Sequence, residues 1–423
     1  MPENAIKFGI LIYGSNGDIE LMVSLSQELA RRGHEINLFI ISINRRDYSF
    51  LNAIEGINVS QHLFPEQLLG SEDVEFWSKS LQDLSDLMER RYQLVAAEVV
   101  KKAYEYAPQC DVLVGPTYML EVPCIAEKFN KRYISLRPFS GLVRSAHEAP
   151  FFLPSELFPG LSNLELWDVC DAYTNRASKR RLNKFRREHG LNPVNSISRD
   201  LIESPWLNLI AYSNYLYPAK PDWSDTYHQC GFFKSPSYIN WDVPESLLNF
   251  IQGDEKPIFI TIGTMMEYES DREGFKARLL GLAHSINRKV IIHADWPEES
   301  IDKNVYLLRG FISYDKLIPL CALAVHHGGV GTAHIMTELA CPSIIISYGF
   351  EQPFNCRVLE MQGVSGGSIL RKEFCEEKLK ALIDKALDNP ELKPNAEKIA
   401  LQLRGENGLA NAANIIEAAY HAS

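Results

Sequence analysis

The chain has 423 residues, 46% of them hydrophobic and 23% charged, with a formal net charge of -11. That length is more than one hydrophobic core ordinarily serves, so two domains are expected. The composition is that of a globular protein, and the negative balance argues against a nucleic-acid surface spread over the whole molecule.

Eight cysteines are scattered without a C-x-x-C pair, which argues against a zinc or thioredoxin-like motif. Several stand in apolar runs, where free cysteine behaves as a small hydrophobe, and a reducing, cytoplasmic compartment is expected. The opening "MPENAIKFGILIYG" enters a strand almost at once and lacks the pattern of a signal peptide. No apolar run approaches the ~20 residues that cross a bilayer.

Taken in order, "KFGILIYG" reads as a strand, "GSNGD" as a loop and "IELMVSLSQELARRG" as a helix carrying Leu21, Leu25 and Leu29 on one face. Gly33 is placed to end it, and "HEINLFIIS" is the next strand, a right-handed β-α-β unit. Residues 60–110 read as mostly helical. "CDVLVGPTYM" and "RYISLRP" read as strands around the helix "EVPCIAEKFN", and residues 138–170 as a long loop or lid. The basic helix "NRASKRRLNKFRREHG" reads first as a solvated face, and second as a weak peripheral contact to an anionic membrane or substrate.

The proline-rich "YPAKPDWSDTYHQCGFF" reads as an interdomain linker. Alternation then restarts with the strand "KPIFITIGTMM", the helix "FKARLLGLAHSINRK", and the strands "VIIHADW", "NVYLLRGF", "ALAVHHGG" and "PSIIISYGFEQ". The expected domains are 1–217, a linker at 218–231, 232–404, and a final helix at 405–423 packing back on the first.

The chemistry concentrates in "HHGGVGTAHIMTELACPSIIISYGFEQPFN", from His326 to Asn355. Glycines between a strand and a helix let an oxygen-rich ligand approach backbone N–H groups, and the helix start favours phosphate. The segment lacks the G-x-x-x-x-G-K-[ST] of a P-loop. A plain tight turn is the other reading. Glu351 and Gln352 follow the next strand, where a carboxylate beside an amide suits sugar hydroxyls. A solvated turn is again the alternative.

This stretch resembles the nucleotide-sugar signature of family 1 glycosyltransferases, in the branch of sterol, macrolide and glycopeptide glucosyltransferases. "GSNGDIELMVSLSQELARRGHEINL", "PAKPDWSDTYHQCGFF" and "PIFITIGTMM" are similar to further motifs of that branch, in the same order. The resemblance covers nearly the whole chain. It implies an α/β GT-B fold of two Rossmann-like domains with parallel sheets facing across a cleft, the N-terminal one for the acceptor and the C-terminal one for the donor. It implies diphosphate contacts from His327, Gly329, Gly331 and Thr332, an approach to phosphate by Gly263 and Thr264, and a base lined by Phe311 and Ile312. Glu351 and Gln352 would hold the sugar, and Asp18 falls at the catalytic base position.

The chain departs from the branch at four places. Glu351 replaces the commoner Asp, Thr264 replaces Ser, Ala340-Cys341 replaces Gly-Val, and no proline follows the Gly17-Asp18 pair. On spacing alone Asp18 serves equally as a helix cap. His34 reads as structural.

The expected reaction is inverting transfer of a hexose, foremost glucose from UDP-glucose, to a small-molecule hydroxyl. No Asp-x-Asp pair is present, and neither metal nor cofactor is expected beside the nucleotide-sugar cosubstrate. Phe64, Trp77, Met88, Tyr92 and Met119 add to an aromatic, apolar acceptor side on which Tyr118, Phe139, His147, Phe151 and Phe152 are the chosen contacts. A GT-B epimerase or hydrolase, and a catalytically silent nucleotide-sugar-binding protein, are the rivals.

Overall fold

The computed structural model describes residues 5–43, 46–64, 81–153, 158–235, 241–294, 296 and 302–422. Trp77 lies outside them, as does the side chain of Met88. The chain divides into two compact units, one holding the described residues up to Ser235 and those from Asn407 on, the other those from 241 to Glu406.

In chain order, the first unit runs β1 (Lys7–Gly14), α1 (Asn16–Arg31), β2 (Glu35–Ser42), β3 (Ile57–Leu63), α2 (Leu81–Tyr106), β4 (Val112–Pro116), α3 (Glu121–Lys128), β5 (Arg132–Arg137), α4 (Asn163–Glu188), β6 (Leu207–Ile210) and β7 (Tyr227–Gln229). The second runs α5 (Glu245–Ile251), β8 (Ile258–Thr261), α6 (Arg272–Ser285), β9 (Val290–His293), β10 (Val305–Leu308), α7 (Tyr314–Leu317), β11 (Leu323–His326), α8 (Val330–Glu338), β12 (Ser343–Ser347), α9 (Gln352–Met361), β13 (Ser365–Leu370), α10 (Glu376–Leu387) and α11 (Leu392–Arg404). The last helix, α12 (Gly408–His421), returns to the first unit.

The first sheet is parallel throughout, in the order β3-β2-β1-β4-β5-β6-β7, and the second is parallel in the order β10-β9-β8-β11-β12-β13. Parallel sheets are covered on both faces, which is why their strands read as unbroken apolar runs. Ile10 and Ile12 enter one core with residues of α1 and α12, while Leu11 and Tyr13 enter the opposite core with residues of α2 and α3. The final helix is fixed there by Ala412, Ala413 and Ile416, and by Arg32, which donates to Asn414 at 2.7 Å and Glu417 at 2.9 Å. His34 accepts from the Ile6 N–H at 3.2 Å and meets Glu417 at 3.1 Å, a structural role.

Four readings change. Residues 57–63 form the edge strand β3, because an edge tolerates the polar "INVSQHL". The 138–170 loop gives way at Asn163 to α4, whose start is capped by Ser162 and Glu165. The stretch 218–231 is no free linker, since Tyr227–Gln229 pairs with β6 as the sheet's other edge and stays with the first unit. The basic helix is only partly a solvated face: Arg186 is buried against Glu127 at 2.8 Å, and Arg181 reaches Glu89 at 2.8 Å and also pairs with Glu121. No described helix is long and apolar enough to cross a membrane.

Candidate active site

In an open parallel sheet, ligands bind beyond the carboxyl ends of the strands where the strand order reverses. In the first sheet that point lies between β1 and β4. β1 ends at Gly14, extended Ser15 precedes α1, and Asp18 sits in the first helical turn. The Ser15 N–H and hydroxyl both donate to Asp18 Oδ2, at 3.0 and 2.9 Å. A Cβ on Gly14 would stand 2.6 Å from that same oxygen, so the glycine makes room for the carboxylate.

Burial pushes the half-buried Asp18 carboxyl above its ordinary value, and the Ser15 bonds pull against the shift. Tyr118 follows β4 and donates its hydroxyl to the Tyr13 carbonyl at 2.5 Å. Enclosure of its hydroxyl end, and then the nearby Asp18 charge, hold the phenol well above its ordinary value and therefore neutral.

The aromatic segment after β5 packs on itself. Phe139 meets Phe151 edge to face at 5.0 Å, and Phe151 meets Phe152 at 4.7 Å. Phe139 is buried, Phe151 and Phe152 are half-buried, and His147 is exposed. Phe64, Tyr92 and Met119 belong to the core of the first unit.

The segment is tied down by the stretch expected to be a linker. Asp222 accepts from Ser145 Oγ at 2.8 Å and the Ala146 N–H at 2.6 Å, and Lys220 lies 3.8 Å from Glu148. Sequence reasoning missed this clasp, although the Lys-Pro-Asp-Trp motif was its signal. Asp222→Ala removes two hydrogen bonds at an exposed site, together worth ~1 kcal/mol. A fall of about that size in the free energy of unfolding is expected from urea denaturation.

In the second sheet the order reverses between β8 and β11. After β8 the chain turns at Gly263, φ 57°, into a short 3-10 segment carrying Thr264. After β11 come His327, Gly328 and Gly329, and α8 begins at Val330. Three glycines frame this turn. A Cβ on Gly329 would stand 2.5 Å from His327 Nε2, one on Gly263 3.1 Å from His327 Cε1, and one on Gly328 2.7 Å from Ile345 Cγ2. The Gly328 N–H donates to His326 Nδ1 at 3.1 Å, and the buried Asn355 amide donates to the Gly328 carbonyl at 2.8 Å. Asn355 was quoted in the motif but given no role.

His327 Nδ1 is buried with no hydrogen-bond partner among the described residues. Burial holds the ring down at about 4, so it is neutral at pH 7 and carries one N–H. The first-turn N–H groups of α8, at Val330, Gly331 and Thr332, have no acceptor within the helix and lie at its positive end. Together these groups form a polar, uncharged cradle suited to phosphate oxygens.

Burial likewise lowers His326 to about 3 and His334 to about 4. A histidine whose folded pKa lies below its unfolded one lends stability above pH ~6.5 and loses it as the pH falls. The protein is therefore expected to weaken between pH 6.5 and 4, by up to about 1.4 kcal/mol per pH unit for each of the three rings. Urea unfolding at pH 7, 6 and 5 checks this.

The turn after β12 is tight, with Gly349 at φ 136° and Phe350 at φ 53°. Glu351 is half-buried at the start of α9. Gln352 is buried and its amide is turned inward, Oε1 accepting the Tyr348 N–H at 2.7 Å and Nε2 meeting Met265 Sδ at 3.5 Å. Ile312 packs into the core of the second unit, because it anchors the segment after β10, while the neighbouring Phe311 is 65% exposed.

Two Rossmann-like units with parallel sheets define an α/β protein of the GT-B class, and solved structures agree. The glycosyltransferase of kitacinnamycin matches with a TM-score of 0.72 at 14% identity, over 98% of this chain and 99% of that one. CalG4, the calicheamicin glycosyltransferase, matches with a TM-score of 0.69 at 14% identity, over 98% of each chain.

Residues 277–417 match the family described as Erythromycin biosynthesis protein CIII-like, C-terminal domain. A sterol 3-beta-glucosyltransferase of Arabidopsis thaliana is 29% identical over 205 residues, 48% of this chain and 32% of that protein. One of Debaryomyces hansenii is 23% identical over 440 residues, 99% of this chain and 27% of that protein. The O-mycaminosyltylonolide 6-deoxyallosyltransferase of Streptomyces fradiae is 23% identical over 239 residues, 56% of this chain and 55% of that protein. The chain is similar to sterol and macrolide glycosyltransferases, and spans about a third or less of the length of the two sterol enzymes.

Proposed function

We propose that this chain is an inverting, metal-independent glycosyltransferase that moves glucose from UDP-glucose to a hydroxyl of a lipophilic or aromatic small molecule. One observation carries the reading: in each sheet, the groups such a reaction needs sit where the strand order reverses. The first unit offers a carboxylate with a raised pKa, and the second a neutral histidine beside the open start of a helix.

Asp18 accepts the proton of the acceptor hydroxyl as its oxygen attacks the anomeric carbon. The bond to the diphosphate breaks, and His327 with the first turn of α8 stabilises the departing charge. Direct displacement inverts the anomeric centre. The free cysteines fit a cytoplasmic protein.

Relatives named as sterol 3-beta-glucosyltransferases support glucose and a lipophilic acceptor. A solved neighbour, the glycosyltransferase VinC, is in complex with dTDP, so dTDP-glucose is the comparison donor.

The test is incubation with UDP-glucose and a panel of hydroxylated acceptors, following UDP release and product. NMR of the product gives the anomeric configuration. Free glucose without product would mark a hydrolase. UDP binding without turnover on any acceptor would mark a silent binding protein.

A further inference from the structure

The exits of β8, β12 and β13 are joined by one buried polar ring. Glu269, just beyond the 3-10 segment after β8, is buried. Arg371, at the end of β13, grips it with both prongs of its guanidinium, Nε to Oε1 at 2.7 Å and Nη2 to Oε2 at 2.7 Å. Tyr348, at the end of β12, donates its hydroxyl to Glu269 Oε1 at 2.7 Å. The Tyr348 N–H holds Gln352 Oε1, and Gln352 Nε2 returns to Met265 in the segment after β8. The guanidinium lies 4.4 Å over the Phe275 ring and 5.6 Å over that of Phe374.

A buried ion pair is weak evidence for stability, since apolar replacements often serve as well. Its particular property is geometry. A bidentate arginine–carboxylate pair fixes both distance and orientation. Here it fixes the turn that presents Glu351 and Gln352 against the segment that carries Gly263 and Thr264. One member of the ring has a poor partner: the Gln352 amide N–H meets a thioether sulfur, a weak acceptor. An oxygen ligand would displace it, whereas Oε1 stays committed to the backbone.

We propose that Glu269, Arg371 and Tyr348 are positioning residues that hold Gln352 so that its amide N–H, in exchange for Met265, donates to a hydroxyl of the donor hexose. This rests on the donor reading above.

Isothermal titration with UDP and with UDP-glucose separates the two. Glu269→Gln is expected to weaken UDP-glucose about tenfold and to leave UDP within twofold. Arg371→Lys keeps the charge, loses the fork and should resemble Glu269→Gln. Should Glu269→Gln fail to fold, Tyr348→Phe decides: it removes one hydroxyl, leaves the ion pair intact, and is expected to weaken UDP-glucose a few-fold with UDP unchanged.

Equal losses for UDP and UDP-glucose, or folded variants with wild-type affinity for both, overturn the proposal. Gln352→Ala protein that keeps wild-type affinity for UDP-glucose overturns the sugar contact itself. Wild-type protein that binds neither overturns the donor reading beneath it.

Discussion

Asp18→Asn should lower kcat/KM by about 10²–10⁴, the usual worth of a general base, or roughly 3–5 kcal/mol of barrier. The reason for choosing asparagine is the capping geometry. Asp18 Oδ2 takes both Ser15 donors. The Asn side-chain oxygen can accept the same two bonds, so α1 keeps its start and the fold keeps its stability. What is lost is the ability to take a proton. Asp18→Ala loses both functions, and a missing cap typically costs ~1 kcal/mol. A residue that only capped the helix would differ in turnover alone: Asp18→Asn would keep full activity, while the lowered Tm of Asp18→Ala is common to both readings. UDP affinity should be unchanged in both, because the proposed donor groups belong to the second unit.

The pH profile carries the same signature. As the proposed base, Asp18 has to be ionised to act, and burial raises it above its ordinary 3.8. Activity should therefore rise with pH through an acid limb lying above that value. The Ser15 hydrogen bonds favour the ionised form. Ser15→Ala should move the limb to higher pH, and a limb unmoved by Ser15→Ala would separate Asp18 from the titration.

What could be read from sequence was local. Gly14 to Asp18, and His326 to Thr332, act on neighbours within a few residues, so spacing alone suggested a cap, a turn and a helix start. Most central strands were legible because burial on both faces makes them continuous apolar runs, though the four-residue β6, "LNLI", was missed. Three of the four edges were not legible: β3 is polar, β13 is "SGGSIL", and β7 lies in a proline-rich stretch, whereas the apolar edge β10 was.

Groups that meet across long separations were equally hidden. Asp222 ties down Ser145 from 77 residues away, and Arg371 reaches Glu269 across 102 residues. The Lys-Pro-Asp-Trp motif marks Asp222 but not its partner, and nothing marks either member of the Arg371–Glu269 pair. Gln352 was legible as part of a motif, but its inward-facing amide depends on Tyr348 and Met265, which only packing brings together.

Gly329→Ala should cost about 10²–10³ in kcat/KM, the loss seen when one preorganised donor to a developing charge is removed. Its backbone, at φ -61° and ψ 148°, is one alanine adopts freely, so no strain arises there. The whole effect comes from the methyl group, which would stand 2.5 Å from His327 Nε2 and must drive the imidazole out of place. Gly328→Ala makes the contrast: at φ 86°, with Ile345 Cγ2 2.7 Å from the new Cβ, it should destabilise the unit itself. Gly281, in α6, has open space around it, and Gly281→Ala should leave kinetics alone and add ~0.5–1 kcal/mol of stability. If Gly329→Ala acts through the histidine, the two are one unit and their losses will not add. The Gly329→Ala/His327→Ala double variant should then be no slower than His327→Ala alone. Additive losses would mean that the methyl group obstructs the phosphate directly and that His327 is not its intermediary.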